Sequence, residues 1–317
     1  MSLILLVQAS PIVLPEASTQ AVVEDRIFLI LLAVSAAIVL LVLTLVIGFS
    51  IVYRAGSAAR RGPLPIWIRH EFEIGWTSAT IFAFLFIFWW TASSQLHLQT
   101  VPRSALEIHV VAKQWMWKIQ QPSGVREIDT LHAPLGIPVK LVMTSQDVIH
   151  DFYVPAFRLK QDVIPGRYTE LTFTATEAGT FQVFCAQYCG LDHARMNADV
   201  VILPPADYAR WIADQPEGDT LAGEGEKIFA SHGCGGCHGQ GAAVHAPPLD
   251  GLYGSRVPLA GGGFALADEN YIHDCILLPH KRVPAGYAPI MPSFQGVLSE
   301  DQLVPLIAYI KTLKAKP

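Results

Sequence analysis

Cys185-Ala-Gln-Tyr-Cys189-Gly-Leu-Asp-His193-Ala-Arg-Met196 places two thiols, an imidazole and a thioether within twelve residues. Soft sulfur donors suit copper, and His with a long-bonded Met is the donor set of electron-transfer copper. A second His from another strand or loop completes such a set. His150, shortly after the apolar run Val139–Thr144, is placed to supply it. Two thiolates could bridge two copper ions, each capped by one His, so that the redox electron is shared and the geometry changes little on reduction. Zinc could take two Cys and two His, but Met is a poor zinc ligand and this spacing is unlike a finger. A Cys185–Cys189 disulfide is the remaining reading, in an oxidising compartment.

The sequence around this loop is strand-like from Leu106 to about Leu203. Leu106–Ala112, Val139–Thr144, Glu170–Thr174 and Thr180–Phe184 are β-branched or aromatic, and Pro134–Pro138, Pro165–Gly166 and Gly179 punctuate them. Short strands with such turns predict a β-sandwich or barrel over residues 99–203.

Downstream, residues 204–220 read as a linker carrying Pro204, Pro205, Pro216 and Gly218. Residues 221–317 then read as a helical domain. Gly233-Cys234-Gly-Gly-Cys237-His238-Gly239 is the haem c attachment pattern. Its two thiols form thioethers to the haem vinyls, and His238 becomes the proximal iron ligand. A thioredoxin-like redox pair does not need the His and lacks a βαβ setting here. Met291, fixed between Ile290 and Pro292, is the expected sixth ligand, with His245, His273 and His280 as competitors. Cys275 has no partner in sequence and reads as a small buried hydrophobe. Ser299-Glu300-Asp301 signals the start of a last helix, Glu300–Lys314.

Upstream, Ile27–Tyr53 carries no charge between Arg26 and Arg54, and Ile74 to about Ala92 is rich in Phe and Trp. Each can span a bilayer, which takes roughly 20 apolar residues. Residues 27–98 therefore read as a transmembrane helical hairpin. Arg54, Arg60, Arg61 and Arg69 between the runs put the connecting loop in the cytoplasm by the positive-inside bias, and everything after residue 98 outside. Residues 1–26 are short and mixed. Leu3–Val7 is too brief for a signal-peptide core, so this reads as a leaderless or mature N-terminus. A hydrophobic fraction of 51% with 15% charged residues fits a few membrane helices, and a net charge of -5 without basic blocks gives no reason to expect a nucleic-acid partner.

With these motifs in place, nearly the whole chain resembles subunit II of cytochrome c oxidase. The twelve-residue loop resembles that family's binuclear copper (CuA) loop. Val148-Ile-His150, Val154-Pro155 and Lys160-Gln-Asp162-Val-Ile-Pro165-Gly166-Arg167 resemble its first-histidine segment. Lys113-Gln-Trp115-Met-Trp117 resembles its aromatic patch, and Glu73-Ile-Gly-Trp76-Thr77 the start of its second helix. A haem domain fused behind the copper domain resembles the caa-type branch.

The resemblance implies a cupredoxin-like sandwich and a class I cytochrome c domain. It implies Cys185 and Cys189 as bridging ligands, His150 and His193 as terminal ones, Met196 as the weak axial ligand and the Gln187 backbone carbonyl as the sixth. Trp115 would receive electrons over the copper. Glu73 would stand at the cytoplasmic mouth of a proton pathway, the alternative being an acid favoured by a helix N-terminus. The family has Glu where Gln187 stands, and that side chain also binds magnesium. A neutral amide is a poorer ligand for a hard cation, which argues against magnesium here.

The resemblance further implies an oxidase subunit in a bacterial plasma membrane with its redox domains outside. Electrons would come from cytochrome c or a quinol-oxidising complex, pass through haem c and CuA to haem a of subunit I, and reduce oxygen with proton pumping. Subunits I and III would be partners. A CuA-containing nitric oxide reductase is the alternative. A quinol oxidase subunit would lack the copper ligands, and a copper-delivery protein would not need the haem.

Overall fold

The computed structural model describes residues 14–59, 62, 66–98, 102, 104–215, 220–239, 242 and 244–314. Leu3–Val7, Arg60 and Arg61 of the loop, and residues 216–219 of the linker lie outside the described residues. The chain divides into a helical unit, residues 20–100, and a second unit containing the rest.

The helical unit holds α1 (Thr19–Val52) and α2 (Ile66–Leu98). Both are long and apolar enough to cross a membrane, with mean hydropathy of 3.2 and 1.5 over their most apolar stretches. Leu40, Val46, Phe82 and Phe88 are exposed, as on a helix that is apolar all round and meant for lipid. Thr44, Thr80 and Thr91 hydroxyls donate to the carbonyls of Leu40, Trp76 and Ile87, which hides them from hydrocarbon. Both helices begin eight residues before the apolar runs. An apolar run marks the part suited to hydrocarbon, whereas residues such as Glu24 and Arg26 sustain a helix without difficulty.

In the second unit, residues 104–203 form a cupredoxin-like sandwich of two five-stranded sheets. One has the order β3 (Arg126–Ile128), β2 (Met116–Gln120), β1 (Leu106–Lys113), β5 (Pro138–Ser145), β8 (Thr169–Thr174). The other has the order β4 (Thr130–Pro134), β10 (Asn197–Leu203), β9 (Gly179–Cys185), β6 (His150–Val154), β7 (Leu159–Val163). β1–β5 and β4–β10 pair parallel, and the other pairs are antiparallel. Alternate residues fill the core: Ile108, Val110 and Ala112 from β1, Leu141 and Met143 from β5, against Phe152, Val183, Val200 and Ile202. The described part of the N-terminal segment is stapled to this sandwich. Ala17 donates its N–H to Ala156, and the Ser18 hydroxyl donates to the Phe157 carbonyl at 2.9 Å.

The region read as a linker contains a helix, α3 (Pro205–Ala213). Trp211 stacks on His132 at 4.1 Å, and the Tyr208 hydroxyl donates to Gln121 at 2.9 Å, so this segment lies on the sandwich. The Pro pair that suggested a linker starts the helix instead, because proline suits the first turn.

The haem domain follows as α4 (Leu221–Ser231), α5 (Gly235–His238), α6 (Glu269–Leu277) and α7 (Glu300–Thr312). The expected helix starts hold, with a capping box between Ser299 and Gln302. A two-stranded hairpin, β11 (Arg256–Pro258) and β12 (Phe264–Leu266), accompanies these helices and turns through Gly262 and Gly263 at φ of 90° and 81°. α4 crosses α7 so closely that a Cβ on Gly225 would stand 2.0 Å from the Pro305 carbonyl oxygen.

The two redox domains share a core. Val111, Val142 and Tyr168, on the outer side of the first sheet, belong to one buried cluster with Ile272, Leu303 and Ile307. β1 is buried over five consecutive residues because both its faces are covered. Polar contacts ring this seam. Lys311 Nζ reaches Glu107 at 2.6 Å and Glu269 at 2.8 Å, Arg126 pairs with Glu224, and Lys118 with Asp301 at 2.8 Å. The Asn270 amide exchanges hydrogen bonds with the backbone of Tyr168. The two domains, expected on either side of a linker, are therefore docked on each other.

Candidate copper and haem centres

The donor-rich loop leaves β9 at Cys185 and returns to β10 after Met196, and His150 opens β6 beside it. Pairing of Phe152 with Cys185 brings the two strands together. Cys185 Sγ lies 3.7 Å from Cys189 Sγ and 3.9 Å from His150 Nδ1. Cys189 Sγ lies 3.5 Å from His193 Nδ1 and 3.8 Å from Met196 Sδ. The Gln187 carbonyl oxygen is 3.2 Å from Cys185 Sγ, while the Gln187 side chain is exposed. His150, Cys185, Cys189 and Met196 are all buried. The six positions singled out in the sequence thus meet at one point. Donor atoms of His150, Cys185 and Cys189 all fall within 4.8 Å of one another. Both thiols are free, at a sulfur separation too long for a disulfide.

Burial opposes a thiolate at Cys185. The His150 ring and the neighbouring backbone overcome that, bringing the thiol down to about 6. Burial and the adjacent Cys185 push the Cys189 thiol up. Two adjacent sulfurs with imidazole and thioether make a soft donor set that suits copper.

Supporting residues were not legible in the sequence. Asp147 Oδ1 accepts from His150 Nε2 at 2.9 Å, which leaves Nδ1 free on the sulfur side. Asp147 Oδ2 also accepts the Gln114 N–H at 2.8 Å. The Cys189 carbonyl accepts from Gln114 Nε2 at 2.8 Å and from Trp115 Nε1 at 3.2 Å. Gly190 makes this approach feasible: its φ is +120°, and a Cβ there would lie 3.0 Å from Gln114 Nε2 and 3.1 Å from the Trp115 ring. The one signal for Asp147 was an acid three residues before a candidate ligand. Trp115 is half-buried against the core rather than free-standing.

In the haem domain a cavity of about 360 Å³ is lined by Cys234, Cys237, His238 and Met291, with Phe229, Leu249, Ile276 and Leu306 among its apolar walls. His238 Nδ1 donates to the Pro247 carbonyl at 2.9 Å. A carbonyl only accepts, so Nδ1 carries the proton and Nε2 is left to bind iron. An apolar cavity with two thiols, a correctly oriented imidazole and a thioether on its walls fits haem c. The competitors stand elsewhere in their bonding. His273 is buried against Glu300, and His280 donates to the Pro289 carbonyl. His245 lines the cavity but is stacked on Tyr287. Cys275 is half-buried and also lines the cavity, so its apolar setting is the haem pocket's.

Glu73 lies two turns inside α2, beyond the first turn where a helix terminus favours an acid. That removes the macrodipole explanation for it.

Residues 123–203 match the profile of the family described as cytochrome c oxidase subunit II, periplasmic domain, and residues 222–314 that of cytochrome c. An alternative cytochrome c oxidase subunit 2 of Bradyrhizobium diazoefficiens is 34% identical, over 43% of this chain and 60% of that one. A cytochrome c oxidase subunit 2 of Alkalihalophilus pseudofirmus is 29% identical, over 65% of this chain and 61% of that one. The chain therefore spans about 60% of the length of these relatives. The solved periplasmic domain of subunit II of cytochrome oxidase from Bradyrhizobium japonicum is 30% identical, over 36% of this chain and 95% of that one, with a TM-score of 0.35.

Proposed function

This chain belongs to the cytochrome c oxidase subunit II family with a cytochrome c domain fused behind it, and we propose that it accepts electrons for a haem-copper oxidase. The observation that carries the reading is the meeting of two thiols, two imidazole nitrogens and a thioether at the end of the sandwich, each 3.5–3.9 Å from a neighbouring donor. Each sulfur has its own imidazole, Cys185 with His150 and Cys189 with His193. That supports two copper ions sharing two sulfurs. Bound copper and haem would supply one-electron chemistry at potentials tuned by these ligands.

The chain's own residues hold the ligands still. Asp147 fixes the His150 tautomer, Pro247 fixes that of His238, and the fully buried Met196 keeps water from the sulfurs. Gln114 and Trp115 pin the Cys189 carbonyl, which puts the Trp115 ring against the copper loop as the group through which electrons arrive. The exposed amide of Gln187 is a weak site for magnesium. We place the connecting loop of the hairpin in the cytoplasm and the redox domains outside, from the arginines around Arg54. The partners in this reading are the oxygen-reducing subunit I with subunit III, and a cytochrome c or quinol-oxidising donor. Glu73 in α2 serves a proton path into subunit I.

The test is a visible and EPR spectrum of the purified complex with metal analysis. Haem c absorption with two coppers in this subunit and a mixed-valence copper signal is expected; a single, labile copper would overturn the binuclear reading. Glu73→Ala should slow steady-state oxygen consumption while haem c reduction by the donor is unchanged, and unaltered turnover would remove Glu73 from the proton path.

A further inference from the structure

Docking leaves one end of the seam between the redox domains next to the copper site. Lys118 on β2 lies in register with Val111 of β1, and Val111 with Thr144 of β5, so the three form a row across the outer face of the sheet. Lys118 Nζ donates to Asp301 Oδ2 of α7 at 2.8 Å and to Gln146 Oε1 at 3.3 Å. Gln146 is joined through the chain to Asp147, which holds His150 through Nε2 and the Gln114 N–H beside Trp115. On the other side, Asp301 follows Leu298 by three residues, and Leu298 lines the haem cavity. Lys118 is three-quarters covered, unlike Arg126 in the Arg126–Glu224 pair, which is 54% exposed. Thr144 Oγ1 in that row, and Glu300 Oε2 and Asp301 Oδ1 at the start of α7, are buried without a protein partner, the kind of group that buried water satisfies.

We propose that Lys118 is a positioning residue that joins the two redox domains: by bridging Asp301 to Gln146 it completes a bonded path from the wall of the haem cavity to Asp147 and His150. The inference rests on the reading of the chain as an electron-accepting subunit. The step it would serve is the passage of one electron, which bound haem would give up and bound copper would take up, with no proton moved and no bond broken. Electronic coupling through covalent and hydrogen bonds exceeds coupling across a van der Waals gap, so a bridge at a polar crossing of the seam sets the rate. α7 itself is held on the sheet by the remaining contacts, Lys311 with Glu107 and Arg126 with Glu224.

The full chain in its complex is the material for the test. A photoreductant injects one electron into haem c, and absorbance at the copper site follows its arrival. Potentials of both centres and hydrogen-exchange protection of α7 are measured on the same samples. Lys118→Met should slow arrival severalfold with potentials and protection unchanged, Lys118→Arg should restore it, and Arg126→Ala should leave it alone. An unchanged rate in Lys118→Met overturns the proposal. So does a slowing that comes with shifted potentials or lost protection of α7, which would make Lys118 a clamp only. If the wild-type chain passes no electron between the two sites, the failure lies with the reading of the chain as a relay rather than with Lys118.

Discussion

At the tip of the sandwich, thiols, imidazoles and a thioether stand 3.5–3.9 Å apart, each backed by a strand end or a hydrogen bond. In the haem domain the comparable donors line a cavity of about 360 Å³ whose walls are mostly apolar. The first site is closed by the fold. Two β-sheets with their own core hold β6, β9 and β10, and the loop between Cys185 and Met196 only has to hang from them. The second site is a shell built to surround something. One region therefore presents its donors to a metal, while the other depends on its prosthetic group for its interior. Chemical disturbance of the two should give opposite results: loss of metal with the fold kept, and loss of haem with the fold lost.

The largest effect expected is in the haem shell. The walls of the 360 Å³ cavity are mostly apolar, so without the group that covers them they are left to water, and that loss counts against a domain stability of only about 5–15 kcal/mol. Cys234→Ser with Cys237→Ser, which prevents attachment, should abolish hydrogen-exchange protection of α4, α6 and α7 while the inward-facing residues of the sandwich keep theirs. Full protection of α7 without haem would break the comparison.

The copper loop should behave oppositely. Cys185→Ser removes a proposed ligand sulfur and should abolish copper binding while the haem c band stays. The sandwich should lose no more than about 1–3 kcal/mol of stability, the cost of one buried hydroxyl. Two coppers persisting in this subunit by metal analysis would sink the ligand assignment. Collapse of the sandwich would sink the idea that the fold closes this site.

The seam between the regions should be sensitive to acid. Burial alone would raise the Glu107 carboxyl, but His109 and Lys311 hold it at about 2, with Lys140 also 3.8 Å away; Lys311 and the Tyr253 hydroxyl hold Glu269 down against burial. Carboxylates depressed in the docked state stabilise docking fully above their ordinary range, near 4.5, and that contribution fades as pH falls towards 2. His109 and Lys140 stay with Glu107, and Glu269 stays with Lys311, when the domains part, so only the Lys311–Glu107 contact counts, on the order of 1 kcal/mol. Exchange protection at Val142 and Tyr168 should fall between pH 4.5 and 2 and at no higher pH. Protection lost already well above pH 4.5 would remove Glu107 as the controlling group.

How much of this was readable differs between the regions for a physical reason. The copper loop was legible because its donors are chemically rare and contiguous. Even His150, 35 residues away, could be placed because it follows an apolar strand. The haem motif was legible for the same reason, and Met291 because proline fixes it. The seam was not legible. Val111 and Val142 look like core residues of a sandwich with one wet face, and nothing in a sequence says that the outer face is covered too. Continuous burial along β1 was the only trace, and it needs a structure to see. Asp147 and Gln114 were missed because an acid or amide near a ligand is common, and only geometry turns it into a support. The linker was misread because two prolines mark a helix start as readily as a loop. β2, β3 and β4 are too short or too mixed to stand out by alternation.

The smallest effect expected is at Gln187, and it separates a backbone role from a side-chain role in the loop. Its carbonyl oxygen lies 3.2 Å from Cys185 Sγ, and its side chain is exposed. Every substitution keeps the carbonyl, so Gln187→Ala should leave copper content, the copper spectrum and sandwich stability unchanged to within the roughly 0.5 kcal/mol of an ordinary surface change. Gln187→Glu makes the complementary case. It adds a carboxylate on the same exposed position, and a carboxylate is a far better ligand for a hard divalent cation than an amide. Copper should again be unaffected. Manganese, added to the assembled complex as a magnesium probe, should give the EPR signal of a bound ion in this variant and none in the native chain. If Gln187→Ala lost copper, the side chain would be a ligand and the loop would be held less by its backbone than the distances indicate. If the native chain already bound manganese at this position, the neutral amide would be no barrier there, and the argument against magnesium would fail on its own terms.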